Sequence, residues 1–175
     1  LWVDYIYLDT DERRRFAQQS HEYLIEQLQF QQTTGSNAEL NFNHPVKELI
    51  WTGQPAAPTN STTGRGTPIA LTTAANRKFL LKLNGHDRFP VRHTNYFTRT
   101  QIHQHHSGFG GVTVKDSIAV YSFALKPEEH QPSGTCNFSR IDNARLETSS
   151  ALDVTDNIYA VNYNVLRIMS GMGGL

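Results

Sequence analysis

The sequence is poor in cysteine, in net charge and in long apolar runs, and each lack excludes a class of protein. One cysteine among 175 residues excludes an internal disulfide and is typical of a reducing compartment such as the cytoplasm. Sixteen basic and sixteen acidic residues give a net charge of zero, so the composition provides no overall attraction for nucleic acid. No apolar run approaches the roughly 20 residues that a membrane-spanning helix needs. The sequence therefore predicts no direct nucleic-acid partner and no transmembrane segment.

The chain contains several short segments in which the spacing of the apolar residues is typical of β-strands. At 175 residues the chain has the size of one domain. At residues 21–32 the spacing of the apolar side chains fits a helix as well as a strand. Strands are predicted at residues 1–8, 46–51, 79–83, 118–125 and 157–169.

The most informative stretch covers residues 117–146 and indicates architecture, because it contains no nucleophile with a base and no set of metal ligands. Its first part has apolar side chains on both faces, which predicts a central strand packed on each side. Pro127 cannot donate to a sheet ladder and ends that strand. An exposed turn follows at residues 128–134. Ser139, with Asp142 three residues later, predicts a cap on one helical turn.

Local signals predict the connections between these strands. The acidic residues that start at Asp9 favour a helix at residues 10–18, because negative side chains interact favourably with the positive, N-terminal end of the helix dipole. Asn84-Gly85 predicts a tight turn, and a short helix is expected at residues 96–104. Residues 53–68 are rich in glycine and proline and predict an exposed surface loop. Residues 170–174 predict flexible backbone.

Two asparagines match the acceptor pattern for N-glycosylation. Asn60 lies within the loop at residues 53–68, and Asn137 lies in a stretch expected to be partly buried. A protein assembled in the cytoplasm, the compartment that a single cysteine favours, would not meet the usual secretory route. An unmodified side chain is therefore the preferred interpretation at Asn60, and the sequence leaves the glycosylation state of both asparagines open.

The histidines are the side chains best suited to hold a metal. His103 and His105 have the spacing of the first histidine pair of a cupin, but no glutamate follows them until Glu128. His86 and Asp87 are neighbours on an extended segment, so their side chains point apart, and no Ser or Cys nucleophile accompanies them. A surface or interface cluster is the preferred interpretation. The sequence predicts no catalytic, cofactor-binding or metal-binding residue.

Five stretches, in this order, resemble the major capsid protein of nucleocytoplasmic large DNA viruses of the iridovirus and algal-virus type. Together they extend over nearly the whole chain, which makes the resemblance more specific than one short motif. The stretches are YIYLDTDERRRFA at residues 5–17, HEYLIEQ at 21–27, LNGHDRF at 83–89, FALKPEEHQPSGTCNFSRIDNARL at 123–146 and YNVLRI at 163–168.

The resemblance implies an antiparallel jelly-roll β-sandwich with short helices in its connections. Family members have two tandem jelly rolls, so residues 1–175 are expected to be the second one, in a fragment without the first. The family also favours a strand at residues 21–32. The implied function is structural and not enzymatic: homotrimers that form pseudo-hexameric capsomers of an icosahedral shell, assembled in the host cytoplasm. The implied partners are neighbouring capsomers and minor capsid proteins, with other proteins making any contact to an inner viral membrane.

Two other functions remain open at the level of sequence. A lectin-like jelly roll would bind carbohydrate through exposed aromatic side chains such as Trp51 or Tyr96. A cupin-type enzyme would hold a metal through its histidines. Loss of glycan binding in Trp51→Ala would favour the first, and a stoichiometric metal would favour the second.

Overall fold

The computed structural model describes residues 2–52, 78–108 and 118–175, of which residue 34 and residues 150–156 are described by their backbone alone. The loop predicted at residues 53–68, with Asn60, lies outside the described residues. The strands, in chain order, are β1 (His21–Glu39), β2 (Pro45–Thr52), β3 (Lys78–Leu83), β4 (His86–Asp87), β5 (Arg92–His93), β6 (Ile118–Ser122), β7 (Cys136–Asn137), β8 (Ala144–Met169) and β9 (Met172–Gly174). The helical elements are α1 (Thr10–Gln18), a π-helical turn (Tyr96–Thr100), α2 (Gln101–His105) and a 3-10 turn (Phe138–Arg140).

The strands form an antiparallel sheet in the order β4-β3-β8-β2-β6. The other strands join this path at its members: β1 and β9 pair with β8, β5 pairs with β3, and β7 pairs with β2. The mainly-β antiparallel prediction is therefore confirmed. The strand interpretation of residues 21–32 is also confirmed, because β1 covers them.

The chain divides into two compact units. One contains Leu1–Gln27 and Tyr163–Leu175, and the other contains Leu28–Asn162. The larger unit has a core of aromatic and aliphatic side chains contributed by its strands and by the π-helical turn. At its centre Trp51 lies 5.3 Å from Phe79 and 5.1 Å from Phe97 between ring centroids. Because these three side chains come from β2, β3 and the π-helical turn, their packing joins elements that are distant in sequence.

Strand β6 is buried on both faces, as its apolar pattern predicts, but it ends at Ser122 and not at Pro127, and among the described strands it lies at the end of the sheet order. Ala119, Val120 and Tyr121 are buried, and β6 pairs only with β2 among the described strands. The π-helical turn and α2 pack against it. The buried Gln101 side chain accepts a hydrogen bond of 3.1 Å from the Ser122 N–H. A side-chain amide thus occupies a position that a neighbouring strand would otherwise fill, which protects this edge from pairing with another chain.

The smaller unit combines α1 with parts of β1 and β8 and with β9. The helix begins where the sequence predicts, because the Asp9 carboxylate accepts a hydrogen bond of 2.8 Å from the Glu12 N–H. Its end is held by the Gly171 N–H, which donates to the Phe16 carbonyl. Arg167 on β8 forms an ion pair with Glu22 on β1, and its Nε donates to the same carboxylate over 2.9 Å. None of the helix side chains is buried.

Three local predictions are wrong. Residues 2–8 form no strand, because an extended segment needs a partner and no described strand pairs with them. Residues 170–174, predicted to be flexible backbone, form regular structure: Ser170 and Gly171 adopt positive φ and connect β8 to β9 in a hairpin. The cap of the 3-10 turn is Asn137, whose side chain accepts from the Ser139 N–H, and not Ser139 with Asp142.

Gly134 is expected to tolerate no side chain. Its φ is +146°, and an added Cβ would lie 2.7 Å from the Phe123 carbonyl oxygen, which is backbone and cannot move aside without shifting the strand end. We expect Gly134→Ala to lower the free energy of unfolding by about 1–3 kcal/mol, the usual penalty of such strain. Urea unfolding measures it. Gly108→Ala is the matched control, since nothing lies within 4 Å of the added Cβ; equal losses in both variants would contradict the prediction.

Candidate interaction surface

The most exposed apolar residues of the smaller unit precede α1. Trp2 is 101% exposed, Tyr7 is 93% exposed and Ile6 is 86% exposed. Single exposed apolar side chains are common on protein surfaces, but a run of this kind is typical of a segment that is covered by a partner. This extended segment, residues 2–8, is called the leading segment below.

A second apolar surface lies on the β8–β9 hairpin of the same unit. Val165, Met169, Met172 and Leu175 are exposed there. They line an open cleft of about 520 Å³, together with Arg167 and the two glycines of β9. Methionine side chains adapt to irregular partners, so this cleft has the chemistry of a protein contact. Its lining residues provide no convergent set of catalytic groups.

The structure separates the histidines that the sequence groups together. His103 is exposed on α2, and the Nδ1 atom of His105 lies 3.0 Å from the Leu125 carbonyl oxygen. Among residues 2–52, 78–108 and 118–175, no three His, Cys, Asp or Glu side chains form a group that could hold a metal ion. The cupin interpretation of His103 and His105 therefore finds no support in the described residues.

His106, and not the pair at 103 and 105, makes the polar cluster of the larger unit. Its Nε2 atom lies 3.1 Å from Oε2 of Glu48 on β2, and its Nδ1 atom lies 3.2 Å from Oε1 of Glu128. The other oxygen of Glu128 accepts a hydrogen bond of 3.0 Å from the Ser107 N–H. We call the side chains of His106, Glu48 and Glu128 the His106 cluster. Sequence reasoning noticed Glu128 as the next glutamate but missed Glu48, because β2 lies far from it in the chain.

The two carboxyl groups of the cluster are affected in opposite directions. Burial raises the pKa of Glu48 above its ordinary value of 4.5, and the nearby His106 and Lys47 reduce that increase. The pKa of Glu128 is lowered, first by the hydrogen bonds from Ser107 and then by His106. The cluster therefore contains one carboxyl that resists ionisation and one that favours it.

The other side chains that the sequence suggests for binding are structural or separate. His86 and Asp87 lie on β4, where both are exposed, and β4 pairs with β3. Trp51 is only 2% exposed, so it cannot stack on a sugar, and the suggestion of an exposed Trp51 is wrong. Tyr96 is half-buried and accepts a hydrogen bond of 2.9 Å from the Gln101 side-chain amide. Asn137 is exposed although its neighbour Phe138 is buried.

Comparison with known proteins places these features in a family. A model of the large eukaryotic DNA virus major capsid protein matches residues 12–174. The major capsid protein of Pyramimonas orientalis virus is 53% identical over 100% of this chain, which corresponds to 48% of that protein. The major capsid protein of Paramecium bursaria Chlorella virus 1 is 44% identical over 100% of this chain and 53% of its own length. The chain thus spans about half the length of these relatives.

Solved structures agree with the sequence comparison. A quasi-atomic model of the PBCV-1 virus capsid matches with a TM-score of 0.73 and 38% identity, over 98% of this chain and 55% of that chain. The Faustovirus major capsid protein matches with a TM-score of 0.57 and 17% identity, over 90% of this chain and 35% of that chain, which supports the fold alone. The predicted jelly-roll sandwich is confirmed. No helix in the described ranges is long and apolar enough to cross a membrane. The chain belongs to the major capsid protein family of large eukaryotic DNA viruses.

Proposed function

We propose that this chain is the second of two tandem jelly rolls in a major capsid protein, and that its function is structural. The observation that carries the proposal is the family match over residues 12–174, combined with relatives that are about twice as long as the chain. The strands form the rigid wall of the subunit, and the work of the protein is done by contacts between surfaces. Enzymatic activity is not part of this proposal.

The leading segment supports the domain assignment. Its tyrosines, isoleucine and tryptophan are exposed, and α1, which follows it, buries none of its residues. Each of these side chains would gain on the order of 1.5–3 kcal/mol from full burial, so a partner surface is expected to cover them. The first jelly roll of the same subunit is that partner, because it directly precedes this segment in a protein with two tandem jelly rolls.

The assembled state follows from the same family. Three subunits form a homotrimer that passes for a hexamer, and its sides contact neighbouring capsomers and minor capsid proteins in the virion. Assembly takes place in the host cytoplasm, for which a single cysteine is suitable. Contact with an inner viral membrane is made through other proteins. Balanced charge leaves the genome without a direct attraction to this domain.

Electron microscopy of assemblies formed by the full-length protein tests the proposal. The expected result is a shell, or sheets, of pseudo-hexameric capsomers. Full-length protein that stays monomeric and binds a defined glycan would favour the lectin-like alternative instead. That alternative is weakened by the burial of Trp51, which removes the aromatic side chain proposed to stack on sugar.

A further inference from the structure

One face of β1 in the larger unit exposes large apolar side chains. Leu28 is 64% exposed, and Phe30, two positions later and therefore on the same face, is 53% exposed. The Phe30 ring lies 5.1 Å from that of Tyr159 on β8, and Tyr159 is directly opposite Ile50 on β2. Both Tyr159 and Ile50 are half-buried. We call the side chains of Leu28, Phe30, Tyr159 and Ile50 the β1 face.

Glutamine side chains on the opposite side of β1 hold this face in place. The Gln29 amide nitrogen donates to the Asn43 carbonyl over 2.6 Å and to Oδ1 of Asn162 over 3.1 Å. Its Oε1 atom accepts from the Asn43 N–H over 3.0 Å. The Gln31 amide contacts the backbone of residues 39–41 in the same donor-and-acceptor manner. These amides bond to backbone as a neighbouring strand would, so β1 keeps one register and the β1 face is preorganised.

The β1 face differs from the other exposed apolar side chains of the larger unit. In the described part of that unit, the remaining large ones are Val91, Ile118 and Leu125. These three lie singly on different segments of the chain, whereas Leu28 and Phe30 share one strand. Strand β1 also pairs only with β8 among the described strands, so its other edge is open. An apolar face beside an open strand edge is a surface that associates with a partner.

The symmetry of the proposed trimer determines which partners a second jelly roll has. Three subunits with two jelly rolls each form a ring of six, and threefold symmetry makes first and second jelly rolls alternate. Each second jelly roll therefore lies between the first jelly roll of its own subunit and that of a neighbouring subunit. The leading segment, which belongs to the smaller unit, is assigned to the first of these contacts. The second contact requires a different apolar surface.

We propose that the β1 face binds the first jelly roll of the neighbouring subunit in the trimer. This inference rests on the proposed function, because the trimer is taken from it. The four side chains carry no charge, so the surface that they meet is apolar as well. Gln32, the next residue on this side of β1, is exposed and polar, as is typical of the rim of an interface. The contact loses little conformational freedom on assembly because β1 is already fixed.

Sedimentation of full-length variants tests the proposal. Phe30→Asp introduces a charge into the contact and is expected to weaken trimer formation by about a hundredfold or more. Leu125→Asp is the matched control, since Leu125 is 70% exposed and lies outside the β1 face, and it is expected to remain a trimer. Circular dichroism verifies that each variant is folded.

The outcomes separate this inference from the proposed function. A folded Phe30→Asp protein that remains a trimer would overturn the inference and leave the proposed function intact. Equal dissociation of Leu125→Asp would also overturn the inference, because the effect would not be specific to the β1 face. A wild-type full-length protein that forms no trimer would overturn both.

Thiol labelling decides the matter if Phe30→Asp does not fold, and it identifies which first jelly roll covers the face. Labelling of full-length Leu28→Cys, located by mass spectrometry, is expected to be at least about tenfold slower in the trimer than in the monomer obtained on dilution. Leu125→Cys is expected to react at the same rate in both states. Slow labelling of Leu28→Cys in the monomer would assign the face to the subunit's own first jelly roll and overturn the proposal. Fast labelling in the trimer would overturn it as well.

Discussion

Replacing Trp51 by alanine is expected to lower the free energy of unfolding by about 3–5 kcal/mol. The indole is 2% exposed and lies 5.3 Å from Phe79 and 5.1 Å from Phe97, so its removal leaves a cavity between three elements. The surrounding rings belong to a strand and to the π-helical turn and cannot all move inward together. Urea unfolding followed by circular dichroism measures the loss, which is close to half the stability of a typical domain.

A conservative replacement sharpens this test. The Trp51 Nε1 atom is buried and has no hydrogen-bond partner in the part of the chain that the structure describes. Trp51→Phe removes this unpartnered donor but only part of the ring volume. The free energy of unfolding is therefore expected to fall clearly less in Trp51→Phe than in Trp51→Ala. A loss of less than about 1 kcal/mol in Trp51→Ala would show that the site is not a packed core.

The second large effect concerns the other tryptophan of the chain. Trp2 is fully exposed here, and we propose that the first jelly roll covers it in the full-length protein. In the 175-residue chain alone, Trp2→Ala is expected to change the free energy of unfolding by no more than about 0.5 kcal/mol. In the full-length protein the same substitution is expected to destabilise by about 2 kcal/mol or more, because it removes buried apolar area.

Comparing the two tryptophans in both proteins gives each measurement its control. Trp51→Ala is expected to be destabilising in both, whereas Trp2→Ala depends on the presence of the first jelly roll. The 175-residue chain itself is expected to aggregate or to melt at a lower temperature than the full-length protein, since its leading segment and the β8–β9 cleft are uncovered. A Trp2→Ala effect that is equally small in both proteins would contradict the domain assignment.

Sequence reasoning succeeds where the structure depends on neighbours in the chain. The helix that begins after Asp9 and the turn at Asn84-Gly85 both form as predicted, and Asn84 and Gly85 adopt the positive φ that such a turn requires. The Ser170-Gly171 turn carries a similar local signal, because Ser-Gly marks turns. The prediction of flexible backbone there is nevertheless wrong, because β9 pairs with β8 directly after this turn.

Predictions fail where burial depends on distant elements. The two-sided apolar pattern of β6 predicts a central strand, but among the described strands β6 pairs only with β2, and α2 and the π-helical turn pack against it. The same limit applies to the His106 cluster. Glu48 lies 58 positions before His106, and no spacing along the chain indicates that a glutamate in a buried strand faces that imidazole. The leading segment, residues 2–8, fails for the same reason. Its sequence pattern predicts a strand, but it forms none because no described strand pairs with it.

Sedimentation of the full-length protein, combined with electron microscopy of its assemblies, tests the central claim most directly. We expect a soluble particle with the mass of three subunits, and images in which three subunits form a pseudo-hexameric capsomer. The second jelly roll should fit the density as the sandwich described here. A full-length protein that remains a monomer under assembly conditions, or a capsomer whose symmetry is not threefold, would contradict the account.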